Sequence, residues 1–179
     1  MNIKSQIISN AERIFDQYGF TATGVDRLTK AAEVSGRTFY KHVGSKTALV
    51  AAVLQERSNR FFDEFDVRSV DALFVALEAW TNAVGARGCL FLRAERETGG
   101  EVPEVAEVVA AYRQKLRILI ESVVEGDVGR HGCQELAEQV LVLFEGATSA
   151  ATYHGSSAID AARSAAATLV GHARARTQA

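Results

Sequence analysis

The chain has 179 residues, enough for one domain or for a small domain joined to a larger one, and too few for a second large domain. Its composition, 47% hydrophobic and 23% charged with a single proline, is that of a globular protein, and the absence of period-two runs predicts an all-α fold. The net charge of −2 does not favour a nucleic-acid binder, but residues 1–46 hold seven Lys or Arg against four Asp or Glu, a net +3, and the remainder thirteen against eighteen.

The termini and cysteines bear on the compartment. Charged and polar residues interrupt the first apolar ones, and no apolar run approaches the length that spans a bilayer, so we expect no membrane segment and a cytoplasmic location. Cys89 and Cys133 are isolated and stand in a chain without signs of secretion, so reduced thiols are expected.

The first helix is predicted from about Lys4 to Tyr18, where apolar residues recur along one face and Gly19 provides a stop. Residues 24–43 then predict two short helices joined by a tight bend. The first of these carries apolar residues at helical spacing, and Ser35 is placed to cap the second. Two such helices form a helix-turn-helix.

The second helix of this pair presents a polar face opposite its apolar residues Phe39 and Val43. That face carries a small residue, hydroxyls, an aromatic ring and basic groups: Gly36, Arg37, Thr38, Tyr40, Lys41 and His42. Long donors beside a small residue suit the major groove of DNA. The alternative is an ordinary helical hairpin with a solvated basic face, which is the usual meaning of a basic run alone.

Gly44 is expected to end this helix, and Ser45 to cap a long one that runs from Lys46 to about Phe65. Lys46 would lie in the first turn, where free backbone N–H groups and an ammonium together suit a bound phosphate. A merely solvated lysine is the alternative. Thr23, before the hairpin, is placed where its hydroxyl could cap a helix or touch a phosphate.

The remaining chain predicts further helices over residues 70–84, a short segment at 88–97 closed by Gly99 and Gly100, and a long helix that begins at Pro103. The last two helices, over about 135–153 and 157–173, differ from the others. Apolar residues cover nearly the whole circumference of the first, and alanine dominates the second, so both need cover on two sides. We expect a symmetric partner to cover one side; a fully internal pair is the alternative.

The N-terminal region resembles the TetR family of transcriptional regulators, closely over about the first fifty residues and only in plan beyond them. The resembling residues are Ala11 to Phe15, Tyr18 to Asp26, Ala31, Ala32, Val34, Ser35, Thr38 to Tyr40, Ser45, Lys46 and Leu49; residues 88–91 are similar to a segment of one branch of the family.

The resemblance implies a homodimeric, operator-binding regulator, most often a repressor that a small ligand releases. It places DNA contacts on Thr23, Ser35, Thr38, Tyr40, His42 and Lys46, with Arg37 and Lys41 at the variable, sequence-reading positions. Three residues depart from the family pattern: Glu33 replaces the glycine usual at the turn, and Val43 and Gly44 stand where an aromatic residue and commonly proline occur. Glu33 raises the question of backbone strain in the bend.

Members of the family contain a ligand pocket in their helical body, and the inward-facing aromatic residues of this chain lie in the corresponding region. We therefore expect a mainly apolar effector, oriented by few polar groups such as the Tyr112 hydroxyl, in a pocket lined by Phe61, Phe65, Trp80, Phe91, Tyr112 and Phe144. Plain core packing is the commoner fate of such aromatic residues and remains the alternative.

The sequence thus predicts a three-helix head with a helix-turn-helix at residues 1–46, and a helical ligand-binding and dimerisation body at 47–179, with about nine helices in all. No catalytic constellation, cofactor motif or metal-ligand spacing is found, since Cys89 and Cys133 are not spaced as ligands with His131 or His154. A ligand-independent architectural DNA-binding dimer and, more remotely, an enzyme remain as alternatives.

Overall fold

Helices account for most of the described chain. The computed structural model describes residues 2–129 and 133–177, and its elements are α1 (Ile3–Tyr18), α2 (Val25–Ala31), α3 (Gly36–Val43), α4 (Lys46–Glu64), α5 (Val70–Val84), α6 (Leu90–Thr98), α7 (Pro103–Val128), α8 (Cys133–His154) and α9 (Ser156–Thr177). These residues contain no strand. The predicted all-α fold of about nine helices is confirmed. His131, considered above as a metal ligand, lies outside the described residues.

The helix ends follow from local side chains, as the sequence predicts. Ser35 caps α3 by accepting a hydrogen bond from the Thr38 N–H, and Ser45 Oγ accepts one from the N–H of Ala48 in α4 at 2.9 Å. Gly19 and Gly44, with φ of +86° and +75°, end α1 and α3 in a conformation that residues with a Cβ rarely adopt. Local chemistry therefore fixes both ends of α3, whereas α2 begins after Gly24 without a side-chain cap.

The turn between α2 and α3 contains the described chain's only non-glycine residue with positive φ: Glu33, at +54°. Hydrogen bonds from the N–H groups of Glu33 and Val34 to the carbonyls of Lys30 and Thr29 hold this turn. The left-handed conformation costs a residue with a Cβ about 1–2 kcal/mol. Glycine avoids this cost but loses more conformational entropy on folding, so the net gain in stability from glycine is smaller than the strain.

We expect Glu33→Gly to raise the free energy of unfolding by about 0.5–1 kcal/mol, because the strain of the Cβ is relieved. Urea unfolding followed by circular dichroism measures this gain. Glu33→Ala is the matched control, since it removes the carboxylate but keeps the Cβ and its strain. An equal gain in both variants would show that loss of the carboxylate charge, and not relief of backbone strain, raises the stability.

The chain divides into two compact units, and the first comprises residues 1–60 and 90–112. In it α1, α2 and α3 pack against one another, around side chains that are at most 2% exposed: Ile7, Phe15, Phe20, Leu28 and Phe39. The unit extends beyond the helix-turn-helix because most of α4, all of α6 and the first part of α7 belong to it.

The second unit comprises residues 61–89 and 113–179, of which the structure describes all but 130–132, 178 and 179. In this unit α8 packs along α9, and both contact α5. One side of α8 is buried, through Val140 and Phe144, whereas Val142 on another side is 69% exposed. Within the described part of the chain, α8 is therefore covered on one side and leaves Val142 uncovered on another. Among the described residues, no helix combines the length and apolarity needed to cross a membrane.

Candidate nucleic-acid interface

Helix α3 separates a buried stripe from a polar face. Phe39 is fully buried and Val43 is 8% exposed. The opposite face carries the α3 residues that the sequence singles out, with Gly36, Arg37, Tyr40 and Lys41 exposed and Thr38 and His42 half-buried. Because the apolar stripe anchors the helix, its donors stand on the surface in one fixed register.

Two contacts orient particular side chains on this face. The Ser35 hydroxyl accepts from the Thr38 N–H at 3.1 Å, and the hydroxyls of Ser35 and Thr38 lie 2.9 Å apart. The Tyr40 ring, 52% exposed, meets the buried ring of Phe39 edge-on with 5.4 Å between ring centroids. Packing against Phe39 restricts the Tyr40 ring, while about half of the residue stays exposed.

Lys46 begins α4 and is half-buried. Its Nζ lies 3.5 Å from the carbonyl oxygen of Thr21, at the long limit of a hydrogen bond, so the ammonium keeps donors for another acceptor. The capping of α4 by Ser45 places this cation beside a helix N-terminus, an arrangement that suits a phosphate oxygen.

Thr23 differs from the other predicted DNA contacts. Its side chain is fully buried, and its hydroxyl donates to the Gly19 carbonyl at 2.6 Å. In this structure the hydroxyl closes the connection between α1 and α2 from inside, and the expected contact with a phosphate stays a prediction. The acceptor is local, four residues earlier in the chain, whereas packing of the surrounding helices buries the Thr23 side chain.

Arg27, for which the sequence pattern predicts no DNA contact, joins the exposed cations. Its guanidinium carbon lies 4.2 Å above the centroid of the Tyr18 ring, at the end of α1. A guanidinium stacked on an aromatic face keeps its N–H edges available for hydrogen bonds. The stacking also restricts the rotamers of the side chain before any ligand binds. No periodicity relates Tyr18 to Arg27 across the α1–α2 connection, so no local pattern reveals the pair.

A buried ion pair joins α1 to α4. The Glu12 carboxylate, in α1, accepts from Arg57 of α4 at 2.8 Å and from Arg60 at 2.5 Å. Only 7% of the Arg57 side chain and 10% of the Glu12 side chain are exposed. The appearance of Arg57 on the apolar stripe of α4 was the available signal, because a cation on such a stripe needs a carboxylate nearby.

The six aromatic residues predicted to line a pocket are all buried. In the second unit the ring of Phe61 stacks on that of Phe65 with 3.9 Å between centroids, and meets Trp80 and Phe144 edge-on at 5.4 and 6.4 Å. In the first unit Phe91 and Tyr112 stack at 3.6 Å. Since these rings contact one another, a ligand bound among them would have to replace ring contacts; the pocket stays a prediction.

The described residues offer little to other chemistry. Cys89 and Cys133 are both half-buried and are not joined in a disulfide. Within residues 2–129 and 133–177, no three His, Cys, Asp or Glu side chains converge as potential metal ligands. The cations and hydroxyls on α3 and at the start of α4, which are exposed or half-buried, form the chemically distinctive surface of the head.

Comparisons with known proteins agree with this geometry. Residues 7–53, which contain the helix-turn-helix and the start of α4, match the family model described as bacterial regulatory proteins, tetR family. A comparison with curated protein sequences finds no match to the chain.

Solved structures extend the likeness to the whole fold. A TetR-family transcriptional regulator from Streptomyces coelicolor has 21% identity and a TM-score of 0.83, with 96% of both chains covered. A protein assigned to the TetR regulators from Streptomyces avermitilis has 25% identity and a TM-score of 0.71, covering 90% of this chain and 98% of its own. Salmonella enterica GusR has 22% identity and a TM-score of 0.72, covering 94% and 95%.

Proposed function

Because this chain belongs to the TetR family of bacterial transcriptional regulators, whose members are regulators and not enzymes, we propose that it represses transcription from a pseudo-palindromic operator. It binds the operator as a homodimer, in the bacterial cytoplasm, and a small, mainly apolar ligand releases it. Its α3 enters the major groove, and α2 crosses the backbone beside it.

The observation that carries the proposal is the polar face of α3 above its buried stripe. Arg37 and Lys41 are exposed there and long enough to reach base edges, whereas Ser35, Thr38, Tyr40 and His42 supply shorter donors. Lys46, beside the α4 N-terminus, is assigned to a phosphate. The positive head attracts the phosphate backbone, and the acidic remainder of the chain is repelled by it.

The unsatisfied side of α8 supports the homodimer. Val142 is 69% and Tyr153 74% exposed, and the neighbouring α9 is rich in alanine, which permits close helix approach. A second copy using residues of about 135–153 and 157–173 would cover this face symmetrically. Two identical recognition helices then lie in successive major grooves, about 34–36 Å apart.

We assign the binding site of the effector to the buried aromatic residues of the body. Its binding would change operator affinity only through unequal affinity for the DNA-binding and released conformations. An architectural dimer, with the same head but no response to a ligand, is the second candidate, and the mutual packing of Phe61 with Phe65 favours it in part.

We expect DNA selected from a random pool by the purified protein to contain an inverted repeat, bound by one dimer, because two symmetric helices read mirror-related half-sites. Analytical ultracentrifugation gives the oligomeric state. Apolar compounds that raise the melting temperature are then titrated against the protein–operator complex. Selected DNA without a dyad, or a monomer at working concentration, contradicts the regulator; stabilising compounds that leave operator affinity unchanged favour the architectural dimer.

A further inference from the structure

We propose that Glu97 and Arg93 of α6 are positioning residues for DNA binding. They hold the connection between α1 and α2, residues 19–23, in the conformation from which Lys46 and the helix-turn-helix engage DNA. The inference rests on the DNA binding proposed above and adds to it a pair of residues outside the helix-turn-helix.

The two side chains form what we call the α6 clamp: Arg93 and Glu97 with their acceptors and donors on the connection. Arg93 Nε donates to Glu97 Oε1 at 2.7 Å, and its Nη1 donates to the carbonyl of Asp16 in the last part of α1 at 3.0 Å. Glu97 Oε2 accepts from the Thr21 N–H at 2.7 Å. The Thr21 hydroxyl in turn donates to the Glu97 carbonyl at 3.2 Å. Three of these bonds tie α6 to the neighbouring chain, one at the last turn of α1 and two at Thr21 in the connection, and the fourth joins the two α6 side chains to each other.

The α6 clamp lies close to Gly19, so a side chain there would displace the ends of Arg93 and Glu97. A Cβ at Gly19 would lie 2.7 Å from Glu97 Oε1 and 2.9 Å from Arg93 Nη2, distances that real Cβ contacts do not show. The φ of +86° at Gly19 also disfavours any side chain there. Glycine at this position both ends α1 and admits the clamp against the backbone.

The clamped segment leads directly to the DNA-facing groups. Thr21, whose N–H and hydroxyl are held by Glu97, offers its carbonyl to Lys46 Nζ at 3.5 Å. The Thr23 hydroxyl binds the Gly19 carbonyl and closes the same segment just before α2 begins. A change in the clamp therefore alters both the neighbour of the phosphate-binding lysine and the entry to α2.

The charge state of Glu97 supports this role. Burial alone would raise its pKa, but the hydrogen bonds from the Thr21 N–H, the Arg93 guanidinium and the Phe20 N–H outweigh burial and lower the pKa below its ordinary value. The carboxylate consequently stays ionised, and its bonds are charge-assisted.

The test uses the full-length protein and a selected operator. Glu97→Ala should weaken operator binding about tenfold. The charge-assisted hydrogen bond that is lost stabilises the DNA-binding conformation of the connection by about that factor. This sign is diagnostic: removing a negative charge from a DNA-binding protein should otherwise strengthen binding. Glu101→Ala is the matched control, since it removes one exposed carboxylate just beyond α6 and should leave binding unchanged or slightly tighter.

Two further measurements separate positioning from loss of structure. Glu97→Gln keeps an oxygen for the Thr21 N–H but loses the ion pair, so it should retain an intermediate affinity and a melting temperature near that of the parent. Hydrogen exchange at the Thr21 amide should accelerate in the order parent, Gln, Ala. A double-mutant cycle with Arg93→Ala should be non-additive.

Operator affinity of Glu97→Ala equal to or above that of the parent overturns the α6 clamp while leaving the regulator intact. The same holds if Glu97→Gln binds as weakly as Glu97→Ala although both fold. A parent protein that selects no operator overturns the proposed function, and with it the role of the clamp in DNA binding.

Discussion

Arg37→Ala should weaken operator binding by about 1–3 kcal/mol per half-site contact and relax the preference for one base pair in each half-site. Arg37 is exposed near the start of α3, whose register is fixed by buried Phe39. A guanidinium so placed can bind the two acceptors of guanine together, which an alanine cannot replace. Affinities for the selected operator and for its single-base variants measure both effects.

Lys46→Ala is the matched comparison, because it removes one cation from the same head at a position assigned to a phosphate. It should weaken all DNA sequences alike and reduce the slope of log affinity against log salt by about one contact per subunit. If both variants lose specificity equally, the division between base-reading Arg37 and phosphate-binding Lys46 is wrong.

Glu12→Ala should lower the free energy of unfolding by about 3–5 kcal/mol, since it removes the carboxylate partner of a buried guanidinium. Arg57 keeps only 7% of its side chain exposed, so it cannot regain full hydration without disturbing α4. Arg60, with 45% of its side chain exposed, can turn to solvent and should contribute little to the loss. Urea unfolding with a fixed m-value measures the change.

The control for this prediction replaces the pair together. Glu12→Leu combined with Arg57→Met substitutes apolar groups of similar size, so the double variant should lie near the parent or above it in stability. Arg60→Ala, which removes only the exposed partner, should cost about 1 kcal/mol or less. A loss below about 1 kcal/mol for Glu12→Ala would show that water already hydrates this pair.

The sequence by itself determined the helices and the position of the helix-turn-helix, because those signals are local. Ser35 and Ser45 cap the helices that follow them, and Gly19 and Gly44 end the ones before them, through bonds spanning three or four residues. The resemblance to the TetR family raised the question of strain at Glu33, where glycine is usual, and the φ of +54° answers it.

Only the tertiary structure decided which polar residues face outward and which hold the head together. Thr23 carries a hydroxyl suited to a phosphate, yet the fold buries it against Gly19. Glu12 and Arg57 are 45 residues apart in sequence, and Thr21 and Glu97 are 76 apart, so no spacing rule connects them. Periodicity reports which face of one helix is apolar; it carries no information about which charged groups meet when separate helices pack, and those meetings position the DNA-binding residues.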